Sequence, residues 1–208
     1  MNSSLKIILL AITLLSCDYS FAQDNATTES RARLKSGSTQ EIASAISSLS
    51  PKSLEQPDIV RQLTRLLNDE RTVVEHLMGR EKVSERAWFK LLDLPSDGTL
   101  SILEQVSSLE TDHARGRALE VISRIGKPST RACERILPYW SCNDVYLRSR
   151  AISALNAVAD DGDESVVQFG KFLLDSHPMV KWTVLDALDQ RSKRIGPVIP
   201  RIRDSEDY

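Results

Sequence analysis

One pattern of nine residues occurs three times in this chain, at intervals of 33 residues. It reads ARGRALEVI over 114–122, LRSRAISAL over 147–155 and VKWTVLDAL over 180–188. In this register the apolar residues fall into four columns: Ala114, Leu147 and Val180; Ala118, Ala151 and Val184; Val121, Ala154 and Ala187; and Ile122, Leu155 and Leu188. Successive columns are four, three and one residues apart, so all four lie on one face of an α-helix. The repeat predicts stacked helices, because one unit alone cannot bury its apolar face.

Each copy is followed by a short break and a second apolar segment. The breaks read GKPS over 126–129, DDGD over 160–163 and KRIGP over 193–197. The segments after them carry these apolar residues: Cys133, Ile136, Leu137 and Trp140; Val166, Phe169, Leu173 and Leu174; and Val198, Ile199 and Ile202. Alanines in the columns allow neighbouring helices to approach closely. We therefore predict antiparallel helix pairs.

The chain before residue 112 also predicts helices. Ser38 or Thr39 is suited to cap a helix, and Pro57 is suited to the first turn of another. The apolar spacing from Val73 to Met78 predicts a short helix that ends at Gly79, and further helices follow from Ser84 and from Leu100. No stretch alternates apolar and polar residues for long enough to indicate a sheet. The predicted class is all-α.

Composition restricts the function only broadly. The 208 residues suffice for one medium domain, with 41% hydrophobic and 27% charged residues. The net charge is −2 and the isoelectric point is about 6.0. This balance gives no broad electrostatic attraction to nucleic acid, so no nucleic-acid partner is predicted.

The first 22 residues have the layout of a secretory signal peptide. Lys6 precedes an apolar run over 7–15, which is too short to span a bilayer. Two interpretations remain open: cleavage after Ala22, or acylation of Cys17 in a run that resembles a bacterial lipobox. Either one predicts a protein exported across the inner membrane, periplasmic or held to a membrane only through a lipid on Cys17. Residues 23–37 form a flexible polar leader or a weak first helix, and the helical domain covers 38–208.

The run DSHPMVKWTVLDAL over 175–188 resembles the HEAT-repeat pattern of Asp, Pro, Val-Arg and then Ala-Leu. Residues 143–155 resemble it without the proline, and residues 112–122 resemble it more loosely, so the regular repeats cover 112–203. The resemblance implies a right-handed α-solenoid of stacked antiparallel helix pairs. It also implies a protein-binding or peptide-binding face on the second helix of each pair, for which the candidate residues are Arg131, Glu134, Arg135, Gln168 and Lys171.

Two functions follow as hypotheses. The first is a non-enzymatic scaffold or adaptor for protein–protein interaction outside the cytoplasm. The alternative is an enzyme accessory or lyase-like HEAT protein that acts on a small molecule or an envelope substrate. The chain contains no phosphate-binding glycine loop and no nucleophile elbow, and His76, His113 and His177 are isolated. We therefore predict no catalytic residue, metal ligand or cofactor.

Two local features each have two interpretations. Cys133 and Cys142 form a disulfide in an exported protein, or Cys133 is a small buried hydrophobe in register with Val166. The acidic run over 160–164 binds calcium, or it is a turn in which Asp161 or Asp163 caps the next helix. We favour the turn.

Basic and aromatic residues complete the set of candidates. The column of Arg115, Arg148 and Lys181 forms a ladder of ion pairs with acidic groups of the following repeat, as the resemblance suggests, or a row that binds phosphate. Arg191 replaces Ile125 and Val158 in register, which predicts a solvated end for the last copy. Trp88 and Trp182 are predicted to be core residues. Trp140 is the best candidate for an exposed aromatic contact, although packing is favoured there too.

Overall fold

The computed structural model describes residues 28–75, 79–95, 98–160 and 162–195, and most of these residues are helical. The helices are α1 (28–36), α2 (Thr39–Ser48), α3 (Pro51–Leu54), α4 (Pro57–Arg65), α5 (Val83–Leu91), α6 (Thr99–Val106), α7 (Asp112–Ile125), α8 (Thr130–Ile136), α9 (Val145–Val158), α10 (Asp163–Phe172) and α11 (Pro178–Ile195). Short 3₁₀ helices cover Leu66–Asn68 and Leu137–Ser141, and strands β1 and β2 cover Thr72–Glu75 and Gly79–Lys82. Within the described ranges, no helix combines the length and the apolar character needed to cross a membrane.

Local capping explains where the helices begin. Ser38 caps α2 in a capping box with Glu41: the Glu41 N–H donates to Ser38 Oγ, and the Ser38 N–H donates to the Glu41 carboxylate. In the same way, Thr111, Ser129 and Asp144 cap α7, α8 and α9. Each of these side chains satisfies an N–H group that has no partner inside its helix.

The helix predicted over 73–79 is wrong. Residues Thr72–Glu75 and Gly79–Lys82 form an antiparallel hairpin in which Thr72 lies opposite Lys82. Three β-branched residues in succession, Thr72 to Val74, favour an extended backbone over a helix. The side chain of Val73, in β1, is buried in the core. Residues 76–78, including His76, lie outside the described residues.

Part of the region predicted as a leader is helical. Residues 28–36 form α1, with Leu34 buried in the core and Arg31 Nε 2.6 Å from Asp58 Oδ2. Of the two interpretations of 23–37, the first helix therefore holds over 28–36. Residues 1–27, with both cleavage points and Cys17, lie outside the described residues, as do 196–208 at the end of the predicted repeats.

The four columns of the repeated pattern are buried. Every column residue is at most 3% exposed except Leu188, which is half-buried against the core. The columns bring three helices side by side, because α7 packs against α9 and α9 packs against α11. The helices between them, α8 and α10, pack against α9 and α11 respectively. This arrangement leaves a cleft between α8, α10 and the end of α9.

Candidate binding cleft between α8 and α10

A cleft of about 640 Å³ borders α8, α10 and the end of α9. Its floor is apolar and consists of Leu137, Leu155, Phe169 and Phe172. Its rim carries groups that form hydrogen bonds, on Ser129, Thr130, Glu134, Asp160 and Gln168. A concave apolar surface with a few polar groups at its edge is the usual form of a ligand-binding site.

Aromatic packing builds the floor. The rings of Phe169 and Phe172 meet edge to face with centroids 5.7 Å apart, and Trp140 packs on Phe172 at 4.7 Å. At the other wall, the Ser129 N–H donates to the Val158 carbonyl over 2.7 Å, which ties the start of α8 to the end of α9. Trp140 is half-buried, so its side chain packs against the protein and is not a freely exposed aromatic contact.

A buried arginine supports the floor from below, contrary to our prediction of a solvated end. Arg191 is only 1% exposed, and its guanidinium group lies 4.6 Å from the centroid of the Phe169 ring. Nε donates to Asn156 Oδ1 over 2.9 Å, and Nη2 donates to the Asn156 carbonyl over 3.1 Å. Nη1 donates to the Asp160 carbonyl, and Nη2 also reaches the Ala159 carbonyl.

The position of Arg191 explains why its charge is tolerated. The carbonyl groups at the end of a helix lack partners within it and carry partial negative charge, so a cation there is favourable. Arg191 donates to the Asn156 carbonyl in the last turn of α9 and to the carbonyls of Ala159 and Asp160 just after it, and these hydrogen bonds are charge-assisted. The repeat register places Arg191 in an apolar column, but residue spacing does not reveal the carbonyl groups that accept from it.

Cys133 forms part of the cleft wall. Burial, and next the nearby Asp160 carboxylate, raise the pKa of its thiol above the ordinary value. A raised pKa keeps the thiol protonated at neutral pH, so Cys133 contributes a small apolar surface rather than a reactive thiolate. Cys142 is also half-buried, and its Sγ donates to the Asp144 carbonyl at 3.4 Å. Both cysteines are free thiols in this structure, and the disulfide stays a prediction.

The structure divides the five residues of the predicted binding face. Glu134 and Gln168 are exposed at the rim of the cleft. Arg131, Arg135 and Lys171 are exposed on the same helices but do not line it, and Arg131 lies 3.7 Å from Glu104. Sequence reasoning missed Phe172 in the floor, although it follows Phe169 at helical spacing and was detectable from that spacing.

The proposed ladder of ion pairs is present at Arg148. Its Nε and Nη2 lie 2.7 and 3.1 Å from the two oxygens of Asp175, and both side chains are largely buried. Burial raises the pKa of Asp175, but the hydrogen bonds from Arg148 and from the His177 N–H outweigh it, so the pKa is lowered. Arg115 instead pairs with Asp112 of its own helix, and Lys181 is exposed.

The acidic turn takes a form different from the predicted cap. The N-cap of α10 is Gly162, without a side-chain cap, and Asp163 is the first helical residue. Asp160 Oδ1 accepts from the Gly162 N–H over 3.2 Å, while Asp161 lies outside the described residues. In the part of the chain that the structure describes, no group of three His, Cys, Asp or Glu side chains is arranged to hold a metal.

The two tryptophans predicted as core residues differ. Trp88 is half-buried, packs against the core, and has the Arg124 guanidinium 5.1 Å from its ring centroid. Trp182 is 72% exposed on the outer side of α11, so the core prediction is wrong there.

Comparisons with known proteins add no assignment. No family model matches this chain, and a search of curated proteins finds no match to it.

Proposed function

We propose that this protein is a non-enzymatic scaffold that holds a peptide segment of a partner protein in the cleft between α8 and α10. The observation that carries this proposal is the composition of the cleft, which combines an aromatic floor with a rim of hydroxyl, amide and carboxylate groups. Its volume of about 640 Å³ suits a few side chains of a peptide.

The chemistry of the rim favours a peptide that carries a cation beside an apolar residue. The half-buried Leu137, beside the more deeply buried Phe169 and Phe172, gives the cleft an apolar surface for the anchoring side chain. Glu134 and Asp160 place two carboxylates at the edge, where a Lys or Arg of the peptide gains charge-assisted hydrogen bonds. Phe169 and Phe172 pack on each other and Phe172 packs on Trp140, so neighbouring aromatic side chains hold these rings in place.

The proposal gives the cleft no catalytic role. The one thiol in its wall, Cys133, has a raised pKa, which disfavours a nucleophile. We assign the polar rim groups to binding, and the second hypothesis, an enzyme accessory, has no observation of its own in its favour.

The proposal includes an architecture and a location. We infer that residues 112–203 are HEAT-like repeats of a right-handed α-solenoid, which the buried columns and the packing of α7, α9 and α11 support. We also infer export from the cytoplasm, which the composition of residues 1–22 supports, with a lipid on Cys17 as the alternative to cleavage after Ala22.

Peptide selection tests the proposed binding. Random peptides displayed on phage are selected on the purified protein, and the best sequences are measured by fluorescence anisotropy. We expect them to combine an aromatic or aliphatic residue with Lys or Arg. Glu134→Lys reverses one rim charge and should weaken their binding by about tenfold or more.

A matched control separates the cleft from net charge. Glu110→Lys makes the same change at an exposed position away from the cleft and should leave the affinity unchanged. Gln168→Arg is a second rim variant that should also weaken binding. Peptides bound equally well by the wild type, E134K and Q168R would place the interaction elsewhere and refute the proposal.

A further inference from the structure

The outer side of α11 differs from the equivalent side of the two helices before it. In register, Leu119 of α7 and Ile152 of α9 correspond to Leu185 of α11. The first two are 0% exposed, whereas Leu185 is 47% exposed. This apolar column is therefore buried on α7 and α9 and partly exposed on α11.

A neighbouring column shows what covers the first two helices. A Cβ placed on Gly116 of α7 would lie 3.8 Å from Cγ of Arg150 on α9. Ser149 of α9 lies 2.5 Å from Thr183 of α11, oxygen to oxygen. The next residue in this column is Trp182, which is 72% exposed. This side of α7 therefore contacts α9, and the same side of α9 contacts α11. On α11 it contacts no later helix of the described residues and is exposed.

Charges on this side of α11 are arranged symmetrically about Leu185. Lys181 lies four residues before it and Asp189 four residues after it, and both are exposed. In an antiparallel pair of α11 helices centred on Leu185, Lys181 of each copy faces Asp189 of the other. The same register places Trp182 against Leu188. A parallel pair in register would instead oppose like charges.

We propose that a second copy of this chain docks on this surface, defined by Lys181, Trp182, Leu185, Leu188 and Asp189, through a two-fold antiparallel pairing of α11. Such a pairing is self-complementary, because the same residues serve both partners. It covers the exposed side chains of Trp182 and Leu185. It also forms two ion pairs, each between Lys181 of one copy and Asp189 of the other. The cleft between α8 and α10 takes no part in it. Experiments can therefore refute the dimer without refuting the peptide site, and the reverse.

Sedimentation of the purified protein over a range of concentrations tests the proposal. We expect a reversible monomer–dimer equilibrium, and Trp182→Ala should raise its dissociation constant by about tenfold or more. Phe89→Ala is the matched control, since Phe89 is a 59% exposed aromatic residue on α5, and it should leave the equilibrium unchanged.

Charge reversal tests the antiparallel register. Lys181→Glu gives two acidic positions and Asp189→Lys gives two basic ones, so each variant alone should dimerise weakly. Their equimolar mixture should recover association, because every facing pair is then of opposite charge. Circular dichroism confirms that each variant folds.

Three outcomes would overturn the proposal. The wild type remains monomeric at the highest soluble concentration, the mixture of K181E and D189K associates no better than either alone, or W182A and F89A have equal effects. Quenching by acrylamide provides an independent measurement in the double variant W88F/W140F, in which Trp182 is the remaining tryptophan. Protection from the quencher that does not change with protein concentration would indicate cover by the same chain, and would likewise refute the dimer.

Discussion

The contact between α7 and α9 and the contact between α9 and α11 use the same register with different chemistry. At the first, Val158 packs against Gly126, where an added Cβ would come within 2.8 Å of Val158 Cγ1. At the second, Arg191 occupies the place of Val158, and its guanidinium group donates to carbonyl groups at the end of α9. One contact depends on the absence of a side chain and the other on a buried cation.

The N-terminal ends of these helices show a similar difference between the two contacts. Arg148 of α9 crosses to Asp175, just before α11, while Arg115 of α7 pairs within its own helix. The α7–α9 contact combines close packing at Gly126 with an ion pair between Arg150 Nη2 and Glu120 Oε2 at 3.4 Å, whereas the α9–α11 contact is held by polar groups at both ends. Steric changes should disturb the first contact, and changes of charge or hydrogen bonding should disturb the second.

Arg191→Ala should have the largest effect. It removes donors from the carbonyls of Asn156, Ala159 and Asp160 and opens a cavity beneath Phe169. We expect a loss of about 3–5 kcal/mol in the free energy of unfolding, measured with urea. Arg131→Ala, at an exposed arginine, should change it by less than about 0.5 kcal/mol. Equal midpoints for R191A and the wild type would show that the arginine is not a structural support.

Leu155→Ala should come next. Leu155 is 3% exposed in the middle helix and also forms part of the cleft floor. Truncation should cost about 2–5 kcal/mol in unfolding free energy, according to how far the cavity collapses. Leu174→Ala is the control, because Leu174 is 86% exposed. A loss of only a few tenths of a kcal/mol at Leu155 would mean that the register is wrong.

Gly126→Ala tests the close packing between α7 and α9. The new Cβ would lie 2.6 Å from the Ile122 carbonyl oxygen and 2.8 Å from Val158 Cγ1. We expect a loss of about 1–3 kcal/mol in chemical unfolding, part of which V158A should relieve in the double variant. Gly170→Ala in α10 meets nothing within 4 Å and should instead stabilise the helix by about 0.5–1 kcal/mol. A neutral G126A would refute the steric account.

The smallest effect concerns acid stability at the α9–α11 contact. Asp175 has a lowered pKa in the folded protein, because hydrogen bonds to its carboxylate outweigh its burial. Its contribution is therefore present above the unfolded-state pKa of about 3.9 and is lost as the pH falls through the lower folded-state value. Asp175→Asn should show a shallower fall in unfolding free energy below about pH 4. Identical acid profiles would contradict this assignment.

Some of these features could be predicted from residue spacing alone. The columns at Ala118, Ala151 and Val184 follow from periodicity, and the caps at Ser38 and the first-turn position of Pro57 follow from local hydrogen bonding. The hairpin could also have been predicted, since Thr72, Val73 and Val74 are consecutive β-branched residues. The helical spacing of the following apolar residues, Leu77 and Met78, conflicts with this signal because it favours a helix at the same place.

The cleft between α8 and α10 could be predicted only in part. Glu134 and Gln168 lie exposed on α8 and α10, because exposed polar positions follow from the same periodicity, and their part in binding stays a prediction. The floor could not be derived, because it depends on how Phe172, Leu155 and Trp140 meet across three elements. Cys133 illustrates the same point, since its role as an apolar wall depends on neighbours that are distant in the chain.

By itself, the sequence determined the mostly helical class, the buried columns and most helix starts, because these depend on spacing and on nearest neighbours along the chain. The tertiary structure alone decided the state of Arg191 and Trp182. A charged residue in an apolar column predicts a solvent-exposed position. Arg191 is nevertheless buried, because carbonyl groups at the end of α9 accept hydrogen bonds from it. An aromatic residue at helical spacing predicts a core, yet Trp182 is exposed because no described helix lies beyond α11. Burial depends on what another part of the fold places opposite a side chain.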